Sequence, residues 1–206
     1  MIVIIDYGLG NLGSIHNMFF RLGKESLISS NKIDILKAEK LVLPGVGSFD
    51  RAIMNLRELG IIPVLNEKVI KERTLILGIC LGMQLMTLRS EEGVLDGLGW
   101  IDAETVRFHF DGTDQRLKIP HMGWNRISIM RPSGILDHLS DEARFYFVHS
   151  YYVCCRNEEN ILAQTEYGIQ FTSAIIKDNI MATQFHPEKS HKYGLRLLQN
   201  FAEMEP

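Results

Sequence analysis

Three short segments carry residue types that could perform acyl transfer. In Gly78-Ile79-Cys80-Leu81-Gly82, a strand-like apolar run meets a thiol set between small residues, and a helical pattern follows. This is the thiol counterpart of a nucleophile elbow. The glycines permit close backbone approach and strained dihedrals, and a thiol at a helix N-terminus meets free N–H groups and a dipole that favour thiolate. The backbone N–H of Leu81 is then placed to serve an oxyanion hole. On the pentapeptide alone, Cys80 reads equally well as a small buried hydrophobe.

A thiolate attacking an acyl carbon needs a base, and the base needs an orienting group. Gln184-Phe185-His186-Pro187-Glu188 offers both. In an extended segment residues i and i+2 face the same way, so Glu188 could fix the tautomer of His186. A His-x-Glu pair by itself is ordinarily structural and gains meaning only beside the elbow. The third segment is Leu43-Pro44-Gly45-Val46-Gly47-Ser48, between a strand and a helix. Its two glycines could aim backbone N–H groups at an oxyanion, or it could be an ordinary β-α turn.

The elements that position these segments follow from periodicity. Strands are expected at residues 2–5, 26–29, 41–43 and 75–79, the third stopped by Pro44-Gly45. Helices are expected at 11–22, 49–59, 64–71 and 82–88. Continuous apolar strands alternating with helices predict a parallel sheet covered on both faces. After Trp100 the pattern becomes strand-rich. Residues 106–110 alternate and meet a hairpin signal at Asp111-Gly112; further strands are expected at 126–130, 145–148, 161–165, 174–177 and 181–185, and a closing helix at 194–201. The expected fold is therefore α/β, with a mostly parallel central sheet, helices on both faces and an antiparallel extension. With no repeat or linker visible, residues 1–206 read as a single domain.

Composition narrows the function classes. The 206 residues include 22 basic and 25 acidic side chains, a formal net charge of −3, with no basic run to suggest nucleic acid. The longest apolar runs are strand-sized, so no membrane span is expected, and the N-terminus does not read as a signal peptide. Three cysteines, two of them the adjacent pair Cys154-Cys155, make a poor disulfide framework and fit a reducing cytoplasm. The remaining histidines are scattered without metal-ligand spacing, so no metal site is expected.

Taken together, Gly78-Ile79-Cys80-Leu81-Gly82-Met83-Gln84, Pro44-Gly45-Val46-Gly47 and Gln184-Phe185-His186-Pro187-Glu188 resemble the class I (triad) glutamine amidotransferases. Within them, Asp6-Tyr7-Gly8-Leu9-Gly10-Asn11, Pro120-His121-Met122-Gly123-Trp124-Asn125, Tyr146-Phe147-Val148-His149-Ser150-Tyr151 and Pro187-Glu188-Lys189-Ser190 resemble the glutaminase subunits of imidazole glycerol phosphate synthases. The resemblance implies a flavodoxin-like fold and a Cys80, His186, Glu188 triad acting on L-glutamine. It also implies an oxyanion hole from backbone N–H groups of Leu81 and the Val46-Gly47 stretch. Substrate contacts would come from Gln84, Glu92 and the backbone around Ser150-Tyr151. No cofactor is implied. The implied partner is a (β/α)₈-barrel cyclase, forming a heterodimer, with Asn11, Met122, Trp124, Tyr146 and Lys189 on the docking face.

Two other readings compete. Gly8-Leu9-Gly10-Asn11-Leu12-Gly13 is formally a dinucleotide fingerprint of an NAD-binding oxidoreductase, but the acidic residue it needs is missing where the second strand ends in Ser29-Ser30-Asn31. Related glutaminase subunits that feed ammonia to amidation of a surface N-acetyl sugar would carry the same chemistry at Cys80.

Overall fold

The computed structural model describes residues 1–110, 117–140 and 142–205. Its elements in chain order are β1 (Ile2–Ile5), α1 (Leu12–Arg21), β2 (Ser26–Ser29), α2 (Lys32–Lys37), β3 (Lys40–Gly45), α3 (Phe49–Glu58), α4 (Ile62–Asn66), β4 (Leu75–Cys80), α5 (Leu81–Leu85) and β5 (Arg89–Ser90). The second half adds β6 (Ala103–Arg107), β7 (His121–Arg126), β8 (Ser128–Ile129), β9 (Arg144–His149), β10 (Tyr151–Cys155), β11 (Ile161–Tyr167), β12 (Ile169–Lys177), β13 (Ile180–Thr183) and α6 (His191–Glu203).

The main sheet runs β2-β1-β3-β4-β13-β12-β10-β6-β5, with β11 and β8 branching from β12. From β2 through β13 every pairing is parallel. Strands β12, β10 and β6 then continue the sheet antiparallel. Strands β7 and β9 form a separate antiparallel ribbon. The parallel centre is buried on both faces, which its unbroken apolar strands require. Ile2 and Ile4 of β1 join a cluster with Ile15 and Phe19 of α1 and Leu197, Leu198 and Phe201 of α6. Val3 and Ile5 point the other way, to Ile35 of α2, Phe49, Ile53 and Leu56 of α3, and Leu85 of α5. The expected architecture is thus present.

Several expected boundaries are corrected. Pro44 does not stop β3, which runs on through Gly45 paired to β4. Pairing of β3 with β1 has ended at Val42, so on that side Pro44 interrupts no ladder. The helix expected at 82–88 ends at Leu85, because Thr87 Oγ1 donates to Gln84 O at 2.8 Å and Leu88 N to Ala103 O at 2.9 Å, drawing the chain into sheet pairing. The helix expected at 64–71 is α4, with Pro63 in its first turn, followed by a π-helical turn, Glu67–Lys71. The strand expected at 106–110 is β6, which stops at Arg107; Asp111-Gly112 lies outside the described residues. The strand expected at 126–130 is replaced by β7 and the two-residue β8.

Candidate active site

All six residues of β4 are buried, and the strand delivers Cys80 to its C-terminal end. Cys80 has φ 53° and ψ −109°, a conformation costing about 1–3 kcal/mol for a residue with a Cβ. Its surroundings enforce it. A Cβ on Gly82 would lie 1.8 Å from Leu43 O, so the elbow rests directly on β3. Gly45 is the register partner of Cys80 across that contact. The expected long helix behind the thiol is only the five-residue α5, too short to carry much of a macrodipole. Gln184 is fully buried, and its Nε2 lies 3.7 Å from Cys80 Sγ as a donor.

His186 and Glu188 meet as expected, for a different reason. Glu188 is not in extended chain but in a 3₁₀ turn, Pro187–Lys189, which folds its carboxylate back so that Oε1 lies 2.8 Å from His186 Nδ1. Both side chains are 1% exposed. The same carboxylate oxygen accepts from Asn11 Nδ2 at 2.9 Å. The backbone of His186 is tied on both sides: its N donates to Tyr146 O at 2.9 Å, and its O accepts from Ser190 Oγ at 2.6 Å. Burial alone would pull the imidazolium down, but a thiolate at Cys80 and the carboxylate of Glu188 outweigh it and push His186 up to about 10. Burial likewise opposes the Glu188 charge, and the bonds from His186 and Asn11 overcome it, holding this carboxyl below its ordinary range. His186 Nε2 is buried with no protein partner, which leaves that nitrogen to act on a bound molecule.

A cleft of about 490 Å³ opens over Cys80 and His186. Val46, Gly47, Leu81, Gln84, Glu92, Ser150 and Tyr151 all line it, as do Asn11 and Lys189 at its rim. Glu188 is not in the lining; it supports His186 from behind. Gln84 Nε2 donates to Tyr151 O at 3.2 Å and to Gln184 Oε1 at 3.1 Å. Glu92 Oε2 accepts from Phe49 N at 2.9 Å, at the start of α3. Partial burial raises its pKa, helped by the Asp50 charge and opposed by that bond.

Two of the remaining histidines form a connected pair beside the cleft. Tyr151 O can only accept, so His149 Nδ1 donates to it, at 2.7 Å. His149 Nε2 must then accept from His121 Nδ1, at 3.0 Å, and His121 Nε2 from Asn125 Nδ2, at 3.3 Å. Burial holds both rings neutral, lowering His121 to about 4 and His149 to about 3, the latter also disfavoured by charge on His121 and His186.

The other residues expected on a docking face sit beside the cleft on the β7–β9 ribbon. Met122 is 63% and Trp124 46% exposed. Trp124 stacks on His191 at 5.2 Å and meets Tyr146 edge-on at 6.2 Å, and Lys189 Nζ lies 5.5 Å from the Tyr146 ring centroid. Trp124 is therefore not a core residue. The formal dinucleotide fingerprint leads to the His186–Glu188 pair instead. Gly8 and Gly10 take φ of 83° and 127°, bringing Asn11 to Glu188, while a Cβ on Gly13 would meet nothing within 4 Å.

The model of the class I glutamine amidotransferases matches residues 3–204. The chain belongs to that family. A Methanococcus maripaludis protein named imidazole glycerol phosphate synthase subunit HisH 2 is 55% identical over 98% of both chains. A Pseudomonas aeruginosa protein of the same name is 49% identical over 99% of this chain and 100% of its own. Among solved structures, a glutamine amidotransferase at 18% identity superposes with TM-score 0.74 over 99% of this chain and 100% of its own, and PurLQS from Thermotoga maritima at 15% identity with 0.71 over 97% and 96%; these share the fold. The chain is thus an enzyme subunit of glutamine chemistry, and neither the NAD-binding nor the surface-sugar alternative is favoured. Among the described residues no helix is long and apolar enough to cross a membrane.

Proposed function

We propose that residues 1–206 form one glutamine amidotransferase domain, the glutaminase subunit of an imidazole glycerol phosphate synthase. It hydrolyses L-glutamine to glutamate and ammonia, and the ammonia passes to a (β/α)₈-barrel cyclase that makes imidazole glycerol phosphate and AICAR in histidine biosynthesis. The observation that carries the chemistry is the meeting, at one cleft, of a left-handed Cys80 elbow and a buried His186–Glu188 pair.

The Cys80 thiolate attacks the side-chain carboxamide carbon of glutamine, and the carbonyl electron pair moves onto oxygen. N–H groups of Leu81 and of the Val46-Gly47 stretch stabilise that oxyanion. Imidazolium His186 gives its Nε2 proton to the leaving nitrogen as the C–N bond breaks, releasing ammonia and leaving a γ-glutamyl thioester. Water then attacks the thioester, His186 takes its proton, and the C–S bond breaks to return thiolate and glutamate. Glu188 keeps Nδ1 protonated and stabilises the imidazolium throughout. Gln84, Glu92 and the Ser150-Tyr151 backbone hold the amino acid end of the substrate. Asn11 and Lys189 at the cleft rim, with Met122, Trp124 and Tyr146 beside it, form the face that docks on the cyclase, so ammonia leaves into the partner. A flip at the Gly45-Val46-Gly47 turn would exchange an oxyanion donor for a repelling carbonyl, so docking with acceptor bound can raise turnover by population shift.

The test is synthesis by the reconstituted complex. Wild type should use glutamine, and Cys80→Ala should lose glutamine use while keeping partner binding and synthesis from ammonia at high pH. A wild-type complex that releases no glutamate in the presence of acceptor would refute the reading.

A further inference from the structure

Tyr7 is 1% exposed and does not line the cleft, so it touches no substrate in the scheme above. Its hydroxyl donates to Pro44 O at 2.6 Å. Pro44 lies in the part of β3 beyond the end of β1 pairing, where the phenol stands in place of a strand neighbour. The contact is close on every side. A Cβ on Gly45 would lie 2.4 Å from Tyr7 Oη, 2.9 Å from Leu81 Cβ and 3.2 Å from Gly82 N. Phenol, oxyanion turn and nucleophile elbow therefore meet at Gly45, which has no side chain. Tyr7 is itself held: Asn55 Nδ2 donates to its carbonyl at 2.8 Å, and its ring packs in the apolar cluster with Leu43, Phe49 and Leu81.

We propose that Tyr7 is a positioning residue for the oxyanion turn, its hydroxyl pinning the Pro44 carbonyl and so favouring the peptide orientation that turns the Val46 N–H toward the cleft. The proposal rests on the glutaminase reading. The Gly45–Val46 peptide follows directly on the pinned one. With Pro44 O fixed, only the soft dihedrals of Gly45 and its successors can turn that peptide. Without the hydroxyl, the Pro44–Gly45 peptide is restrained only from the β4 side, and orientations that withdraw the Val46 N–H gain population.

The test uses the complex with the cyclase and its acceptor. Since loss of one oxyanion donor costs on the order of 10²–10³ in rate, partial loss of its orientation in Tyr7→Phe should lower kcat about tenfold and leave the KM for glutamine within about twofold. Alkylation of Cys80 by iodoacetamide, a displacement that forms no oxyanion, should keep its wild-type rate. Replacing Tyr7 with 4-aminophenylalanine, which retains an N–H donor, should restore kcat to within about threefold of wild type. Wild-type kcat in Tyr7→Phe, or an equal fall in alkylation and turnover, would overturn the proposal. So would a folded 4-aminophenylalanine variant as slow as expected for Tyr7→Phe, which decides the matter even if the phenylalanine variant does not fold. A wild-type complex that fails to release glutamate would strike instead at the glutaminase reading.

Discussion

Replacing Glu188 with glutamine removes a charge from the site while keeping its shape. The carboxylate is 1% exposed and receives two donors on Oε1, from His186 Nδ1 at 2.8 Å and Asn11 Nδ2 at 2.9 Å; Oε2 has no partner. Glutamine can keep an oxygen at the Oε1 position and preserve the His186 tautomer, but it then places an NH₂ where Oε2 lay, buried and without an acceptor. That orphan should cost about 1–3 kcal/mol of stability. The catalytic loss comes from charge. With the carboxylate gone, burial pulls the imidazolium down from about 10, so the thiolate–imidazolium pair is less populated and the proton for leaving ammonia is less available. A buried charge-assisted bond reduced to a neutral one, together with this deprotonation, amounts to about 3–4 kcal/mol of transition-state stabilisation, or 10²–10³ in kcat. The raised His186 pKa contributes stability in full below its unfolded value, near 6.5, and that contribution fades as pH rises through about 10. E188Q should therefore lose more stability at pH 7 than at pH 10, where wild type has itself lost the term. Glutamate release by the partnered subunit, measured from pH 6 to 10 beside thermal melting, checks both. A kcat within about threefold of wild type would refute the role given to Glu188.

Two other outcomes are expected. His121 and His149 are held neutral in the fold, so their contribution is present above about pH 6.5 and is lost as pH falls toward about 4 and 3; wild-type melting temperature should drop over that interval, less steeply in His121→Asn, and equal slopes would remove the pair from the acid response. Trp124→Ala should weaken cyclase binding by about 2 kcal/mol, roughly thirtyfold, while lone-subunit melting changes little because the ring is 46% exposed; unchanged affinity by calorimetry would place docking elsewhere.

The parallel centre of the sheet was legible because buried parallel strands leave continuous apolar runs, and the Cys80 elbow because it sits where such a run meets glycines. Strand β7 was not legible as a strand. It buries His121 and leaves Met122 and Trp124 exposed, inverting the alternation that marks an ordinary strand. The inversion is itself informative, since it suits a face that meets another protein. The extension of β3 through Pro44 is not legible in sequence, because a proline's cost depends on whether a neighbouring strand reaches it, which no local window records. Gln184 did leave a signal, a glutamine inside the apolar run at 181–185, though its aim at the Cys80 sulfur required the fold. Likewise the resemblance implied Asn11 on the docking face, but its bond to Glu188 spans 177 positions of sequence.

In the proposed function Cys80, alone among the three cysteines, is the glutamine-directed nucleophile. Peptide mass spectrometry of the partnered subunit after treatment with a chloroketone analogue of glutamine tests it most directly. Cys154 is exposed and Cys155 half-buried, and burial pushes the Cys155 thiol up to about 12, so neither accessibility nor general reactivity would single out the buried Cys80. One adduct per chain is expected, on Cys80, blocked by excess glutamine and absent from Cys154 and Cys155. Labelling centred on Cys154, or spread over all three thiols and indifferent to glutamine, would contradict it.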